Sequence, residues 1–295
     1  MIIDLIKKNI PQYNTKLPIS KKNISFRPLL VKEEKFISIV TNINSTFEDK
    51  IKNLAALINS CCDDKVNCLN LYVPDFQFLL NEIRKKSVSE SVSLNITCPI
   101  TNENISIETN LNDFKCSQKK SNFTLKVNDN LIIKFDQPKV SDLLSLRDYP
   151  ETDEDYFDLM CRCLSTIETP EEKINLTDSD KKNAPQYIEL LKMEDYIKIK
   201  NFIFSGNIST TFKYQTSDGI ERDRGEWYIK FFKILFGHIN VITLSEISFK
   251  LIDDYSLSMF DIDNMIIWER DVYITLLNNK IEKENQRLLE EQTRM

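Results

Sequence analysis

The sequence predicts an α+β fold: mixed helices with short antiparallel β-hairpins, followed by an all-helical C-terminal region. Three observations carry this. Apolar residues recur at three-four spacing in segments opened by proline or a cap residue, and alternate strictly with polar residues in others. Past Gly225 the helical spacing holds for the rest of the chain. At 295 residues, 41% hydrophobic and 28% charged, the chain can bury a sizeable core as one large domain or a few small ones.

In chain order, NISFR ending at Arg27 reads as a strand closed by Pro28, which cannot donate to a ladder and belongs at a strand end or edge. Residues 30–58 read as helical, with Phe36, Ile37, Val40, Ile51, Leu54 and Ile58 apolar and a break near Asn42–Ser45. Pro74-Asp75 opens the next helix, VPDFQFLLNEIRKKSV, whose Phe76, Leu79, Leu80 and Ile83 share a face. From Val92 the period becomes two: Val92, Leu94, Ile96 and Cys98 alternate with polar residues, CPITNE turns, and Ile105 and Ile107 return, which predicts a hairpin. Phe123–Val127 and Leu131–Phe135, around Asn128-Asp129-Asn130, predict a second.

RDYPETDEDY reads as an acidic linker into a short helix bearing Tyr156, Phe157, Met160, Cys161 and Leu164, and TPEEKINLTDSDKKNAP reads as a loop. Pro185 opens PQYIELLKMEDYIKIKNFIFSG as one helix stopped at Gly206, and ISTTFKYQTSDGIERD turns at Asp218-Gly219 as a third hairpin. The helix-then-hairpin units align at an offset of 116 residues, with Cys98 matching Tyr214, although few identities support a duplication. EWYIKFFKILFG, VITLSEISFKLI, SLSMFDIDNM and a long final segment then read as helices, the third opened by a Ser258/Asp261 capping box. In the last, Ile274, Leu277, Ile281 and Leu288 keep three-four spacing while Glu284 interrupts the stripe, so packing on its own domain and binding a partner both stay open. The expected organisation is an α+β module over 1–147, an acidic linker plus helix-hairpin module over 148–225, and a helical region over 226–295.

Composition argues against several function classes. The net charge of −6 disfavours nonspecific nucleic-acid binding, which needs a surplus of Lys and Arg on one face. Charge is uneven, since residues 1–36 hold eight Lys/Arg against three Asp/Glu and 148–180 hold eleven Asp/Glu against two Lys/Arg, a contrast able to steer two partners or two copies together. No apolar run suggests a membrane span, and Asp4 and Lys7-Lys8 interrupt the N-terminus too early for a signal-peptide core, so a cytosolic protein is expected. Seven irregularly spaced cysteines make a poor disulfide framework and read as reduced core thiols.

Catalytic chemistry has little to build on. None of the four glycines forms a phosphate-cradling pattern. His238 is the only histidine and reads first as a helix-terminal imidazole. Cys98 sits where a zinc hairpin places a ligand, but ITNEN after it lacks the second cysteine, so no metal and no cofactor are expected. Trp268-Glu269-Arg270 reads as a pin, with Trp268 packing internally or anchoring an interface.

Four blocks carry a family resemblance. ISFRPLLVKEEKFI resembles the N-terminal signature of the baseplate family of T-even-like contractile-tailed bacteriophages. DFQFLLNEIRKKSVSESVSLNITCP is similar to that family's next block, and VNDNLIIKFDQPKVSDLL to its later strand-and-proline segment. DYSLSMFDIDNMIIWERDVYITLL resembles the C-terminal block of hub and hub-assembly members, with Ile267 where proline is expected. The resemblance implies a baseplate hub protein, a structural subunit or an assembly factor, that binds other hub or tail proteins and is not an enzyme. The alternative it implies is a transient chaperone for a hub or tape-measure protein, absent from the mature virion. The protein would act in the host cytoplasm during assembly or in the virion tail baseplate, as a monomer or homo-oligomer, without nucleic acid or a membrane span. Arg27, Lys32, Glu33, Lys35, Trp268, Arg270 and Tyr273 are the expected fold-pinning or partner-contact residues.

Overall fold

The computed structural model describes residues 10–40, 46–62, 66–117, 120–146, 152–177, 179–228 and 241–293. The expected break near Asn42–Ser45, residues 147–151 of the acidic linker, the helix over 229–237 and His238 lie outside them, as do the side chains of Phe36 and Val40.

β1 (Tyr13–Lys16) and β2 (Asn23–Phe26) form an antiparallel hairpin whose turn takes Lys21 at φ 60°. Three helices follow: α1 (Val31–Val40), α2 (Phe47–Cys61) and α3 (Val73–Ser87). Thr46 caps α2 by accepting the Asp49 N–H, and Pro74 in the first turn of α3 forgoes an N–H that a helix start leaves unused. Ile51, Leu54 and Ile58 of α2 and Phe76, Leu79, Leu80 and Ile83 of α3 line the main core, as their spacing predicts.

The first predicted hairpin is β3 (Ser91–Thr97) with β4 (Asn104–Asn110), and Val92, Leu94 and Ile96 point inward. The second is β6 (Asn122–Asn128) with β7 (Leu131–Asp136), and between the two lies a short strand, β5 (Lys115–Cys116). Thr152 and Asp155 form a capping box at α4 (Asp153–Cys163).

The acidic stretch differs from its expected form. Leu164 is not on the helix face but caps the end of α4 and begins β8 (Leu164–Glu168), and the expected loop contains β9 (Lys173–Asn175). These strands extend the second hairpin into a sheet ordered β6-β7-β8-β9, with Ile133 opposite Ile167 and Ile167 opposite Ile174. The open edge of β7 supplies the ladder partner that local polarity conceals. The sheet thus pairs a strand before residue 147 with one after it.

The helix expected from Pro185 is two, α5 (Ala184–Glu189) and α6 (Met193–Ser205). The chain turns at Leu190–Lys192 because both pieces pack against α4, burying Ile188 on one and Ile199 and Ile203 on the other. Gly206 ends α6 at φ −72°, so its role is space. A Cβ there would lie 2.6 Å from Gln137 Oε1 and 2.8 Å from Pro74 Cγ.

β10 (Ile208–Gln215) and β11 (Glu221–Tyr228) form the third hairpin, turned through Gly219 at φ 77°. Residues 226–228 are therefore strand where helix is expected, because Tyr228 and Trp227 pair with Ser209 and Thr210 across the ladder. Cys98, Ile96, Phe212 and Tyr214 meet in a small satellite core, so the positions aligned at an offset of 116 residues face one another.

From Val241 the described residues fold as helices: α7 (Val241–Tyr255), α8 (Met259–Asn264), opened by the predicted Ser258/Asp261 capping box, and α9 (Ile267–Thr293). Among the described residues, no helix is long and apolar enough to cross a membrane.

Candidate partner-binding surface

Arg27 sits where β2 leaves its hairpin and reaches two ways. Its Nη1 and Nη2 donate to Glu33 Oε2 at 2.9 Å and Oε1 at 2.6 Å, a bidentate pair. Nη2 also donates to the Ser60 carbonyl at 3.0 Å, in the last turn of α2, where unsatisfied carbonyls favour a cation. Glu33 accepts further from the Leu30 N–H at 2.8 Å and the Ser60 hydroxyl at 3.2 Å. The Arg27–Glu33 pair therefore ties the strand end, the start of α1 and the end of α2 together.

The second charge cluster joins the chain's two ends. Glu34 follows Glu33 by about 100° around α1 and points elsewhere, into an ion pair with Arg270 of α9. Arg270 is 1% exposed, and its Nε and Nη2 also donate to Asp271 Oδ1 at 3.0 and 2.6 Å. Burial raises the Glu34 carboxyl above its usual range, partly offset by Arg270. Arg84 lies in the same field and is pushed down to about 10 by burial, against the pull of Glu34 and Asp271.

Backbone pairing reinforces this junction. The Val31 N–H donates to the Met265 carbonyl at 3.0 Å, and Leu30 bridges Ile266. Glu269 accepts the Ile266 N–H at 2.9 Å, so the chain breaks between α8 and α9 without a proline at 267. Lys32 is exposed and donates to Asn264 Oδ1 at 3.0 Å. Tyr273 packs edge-on against Tyr255, with ring centroids 5.7 Å apart, beside a small core of Val31, Leu251 and Ile262.

The structure thus brings Arg27 to Glu33, and Lys32, Arg270 and Tyr273 to the α1–α9 junction, while the Lys35 side chain lies outside the described residues. Of the two uses open to Trp268, internal packing is not the one taken, since it is 43% exposed. With Val272 and Leu276, at i+4 and i+8, it forms an outward apolar stripe on α9. On α7, Ile242, Phe249 and Ile252 are exposed too. Apolar surface of this kind, rimmed by polar residues, suits protein contact.

Glu34, Arg84 and Asp271 are not among the site residues that the sequence marks. The available signal was adjacency: two consecutive glutamates on a helix cannot both face Arg27. In the sequence Asp75 reads as a helix start only. Fully buried, Asp75 instead accepts the Ile19 N–H at 2.7 Å and the Ser20 N–H at 2.9 Å, across 56 and 55 residues of chain.

The thiols are packed. Cys61, Cys68, Cys98, Cys161 and Cys163 are buried, and Tyr214 Oη lies 3.5 Å from Cys98 Sγ. Burial pushes Cys61 and Cys161 up to about 12. Among the described residues no three His, Cys, Asp or Glu side chains are placed to hold a metal. A polar cavity of about 340 Å³ brings Lys139, Arg162 and Lys181 around Asp136 and Asp142, both raised by burial.

Residues 10–223, well over half of the chain, match the family model described as T4 bacteriophage base plate protein. No curated protein and no solved structure matches the chain. The match takes in the Arg27–Glu33 clasp, the β3–β4 and β6–β7 hairpins and all of β10, so the chain belongs to the T4 bacteriophage base plate protein family.

Proposed function

We propose that the protein is a baseplate hub protein, a structural subunit or assembly factor that works by protein–protein binding during tail baseplate assembly rather than by covalent chemistry. The observation that carries this reading is the contrast along α9. Arg270 is locked to Glu34 inside the molecule while Trp268, Val272 and Leu276 of the same helix turn outward. A rigidly seated helix presenting an aromatic and two aliphatic side chains is a preorganised docking edge, because little side-chain freedom is lost on contact. The family supplies the setting, a phage baseplate, and other tail proteins are the natural partners.

Quantitative mass spectrometry of purified virions tests it. Peptides of this chain in fixed stoichiometry with the baseplate are expected of a structural subunit. Their absence, with co-purification of hub proteins from infected cells, assigns the assembly-factor role. Absence from both overturns the reading.

A further inference from the structure

The seam that seats α9 on the body continues past it. Ile267, Ile274, Ile281 and Leu288 recur every seven residues, and Arg270, Leu277, Glu284 and Glu291 follow three positions later, the two seam positions of a heptad. At the helix start this seam is covered: Ile267, Arg270 and Leu277 are buried and Ile274 is half-buried. From Asn278 to Glu291 every residue is exposed, although the helix runs on to Thr293. Lys280 still reaches Asp254 of α7 at 3.6 Å, and from Ile281 to Thr293 about 20 Å of helix carries its apolar stripe uncovered. A segment of that length is marginal as a helix on its own in water, so a covering partner would stabilise it.

The charged seam positions say what covers it. Within the body, Arg270 is accommodated because Glu34 of another helix meets it with the opposite charge. Glu284 and Glu291 occupy the equivalent positions further out. A parallel second copy would set Glu284 on Glu284 and Glu291 on Glu291. An antiparallel copy would set Ile281 against Glu284. Self-pairing is therefore disfavoured in both directions. The exposed Arg287–Glu291 pair, at 3.1 Å, is of the weak surface kind and exchanges readily.

We propose that residues 278–293 form one half of a two-helix coiled coil with a different chain, whose helix brings apolar side chains to Ile281 and Leu288 and Lys or Arg to Glu284 and Glu291. This rests on the reading of the protein as a binding subunit and names the chemistry of its partner.

The test titrates the full chain with synthetic helical peptides of about four heptads, followed by fluorescence anisotropy. One peptide carries Leu at the first seam position and Lys at the second. Another carries Glu at the second. A third scrambles the Lys peptide. The Lys peptide is expected to bind about tenfold or more tighter than either control, with Ile281→Asp abolishing that advantage and Glu284→Lys transferring it to the Glu peptide. Both substitutions lie at exposed positions and leave the fold intact. Equal binding of the Lys and scrambled peptides overturns the proposal, because it reduces the effect to net charge. So does a wild-type dimer in analytical ultracentrifugation that Ile281→Asp dissociates. The titration contains no phage component, so its failure removes the helix pairing alone, whereas failure of the virion measurement removes the hub reading.

Discussion

Arg270→Ala should be among the most damaging single substitutions in the C-terminal region. Arg270 is 1% exposed and pairs with Glu34, whose side chain is 11% exposed. Removing the cation leaves a carboxylate inside the molecule with Arg84 as its remaining positive neighbour, and breaking a buried pair this way costs about 3–5 kcal/mol. The resulting fall in melting temperature is roughly 6–20 °C at about 2–4 °C per kcal/mol. Urea unfolding followed by far-UV circular dichroism measures the cost. Glu34→Gln combined with Arg270→Met removes both charges while keeping volume, and should cost less than Arg270→Ala alone, at about 1–2 kcal/mol.

The pH dependence has a definite sign. Burial raises Glu34 in the folded state, so the fold holds that proton more tightly than the unfolded chain does. The contribution of this group is most favourable below its unfolded pKa and is lost as pH rises through the raised folded value. In Arg270→Ala the opposing pull of the guanidinium is gone and Glu34 rises further, so the deficit against wild type should shrink on acidification. An Arg270→Ala protein within about 0.5 kcal/mol of wild type at neutral pH, or a double variant as damaged as the sum of its singles, would refute the reasoning.

Three further outcomes are expected. Asp75→Asn leaves one oxygen to accept the Ile19 and Ser20 N–H groups and should cost about 1–3 kcal/mol by denaturant titration. Ser87→Ala orphans the buried Leu29 N–H, now accepted by Ser87 Oγ at 2.8 Å, for a loss of about 1–3 kcal/mol, whereas Ser87→Thr should retain part of it. Gly206→Ala drives a methyl against Gln137 and Pro74 and should destabilise by about 1–3 kcal/mol, read as a lower urea midpoint.

Features governed by near neighbours in sequence were legible. The β3–β4, β6–β7 and β10–β11 hairpins follow from two-residue alternation and turn chemistry, and α3 from its proline start and apolar face. The sequence marks Arg27 and Glu33 as separate fold-pinning or contact residues, and the bidentate pair between them, six residues apart, comes from the fold. What was missed depended on neighbours the sequence does not reveal. LSTIE and KIN are short and half polar, and they become β8 and β9 because β7 leaves an edge to pair with. Trp227 and Tyr228 stay extended because β10 lies beside them.

The sequence by itself therefore determined the α+β class and most helix starts, since each is set by steric and hydrogen-bonding preferences over a few residues. Tertiary structure alone decided that Glu34 meets Arg270 across 236 residues, that Trp268 faces out, and where the seam of α9 runs beyond the body. Those outcomes depend on which surfaces exclude water from one another, a property of the packed chain that no local spacing encodes.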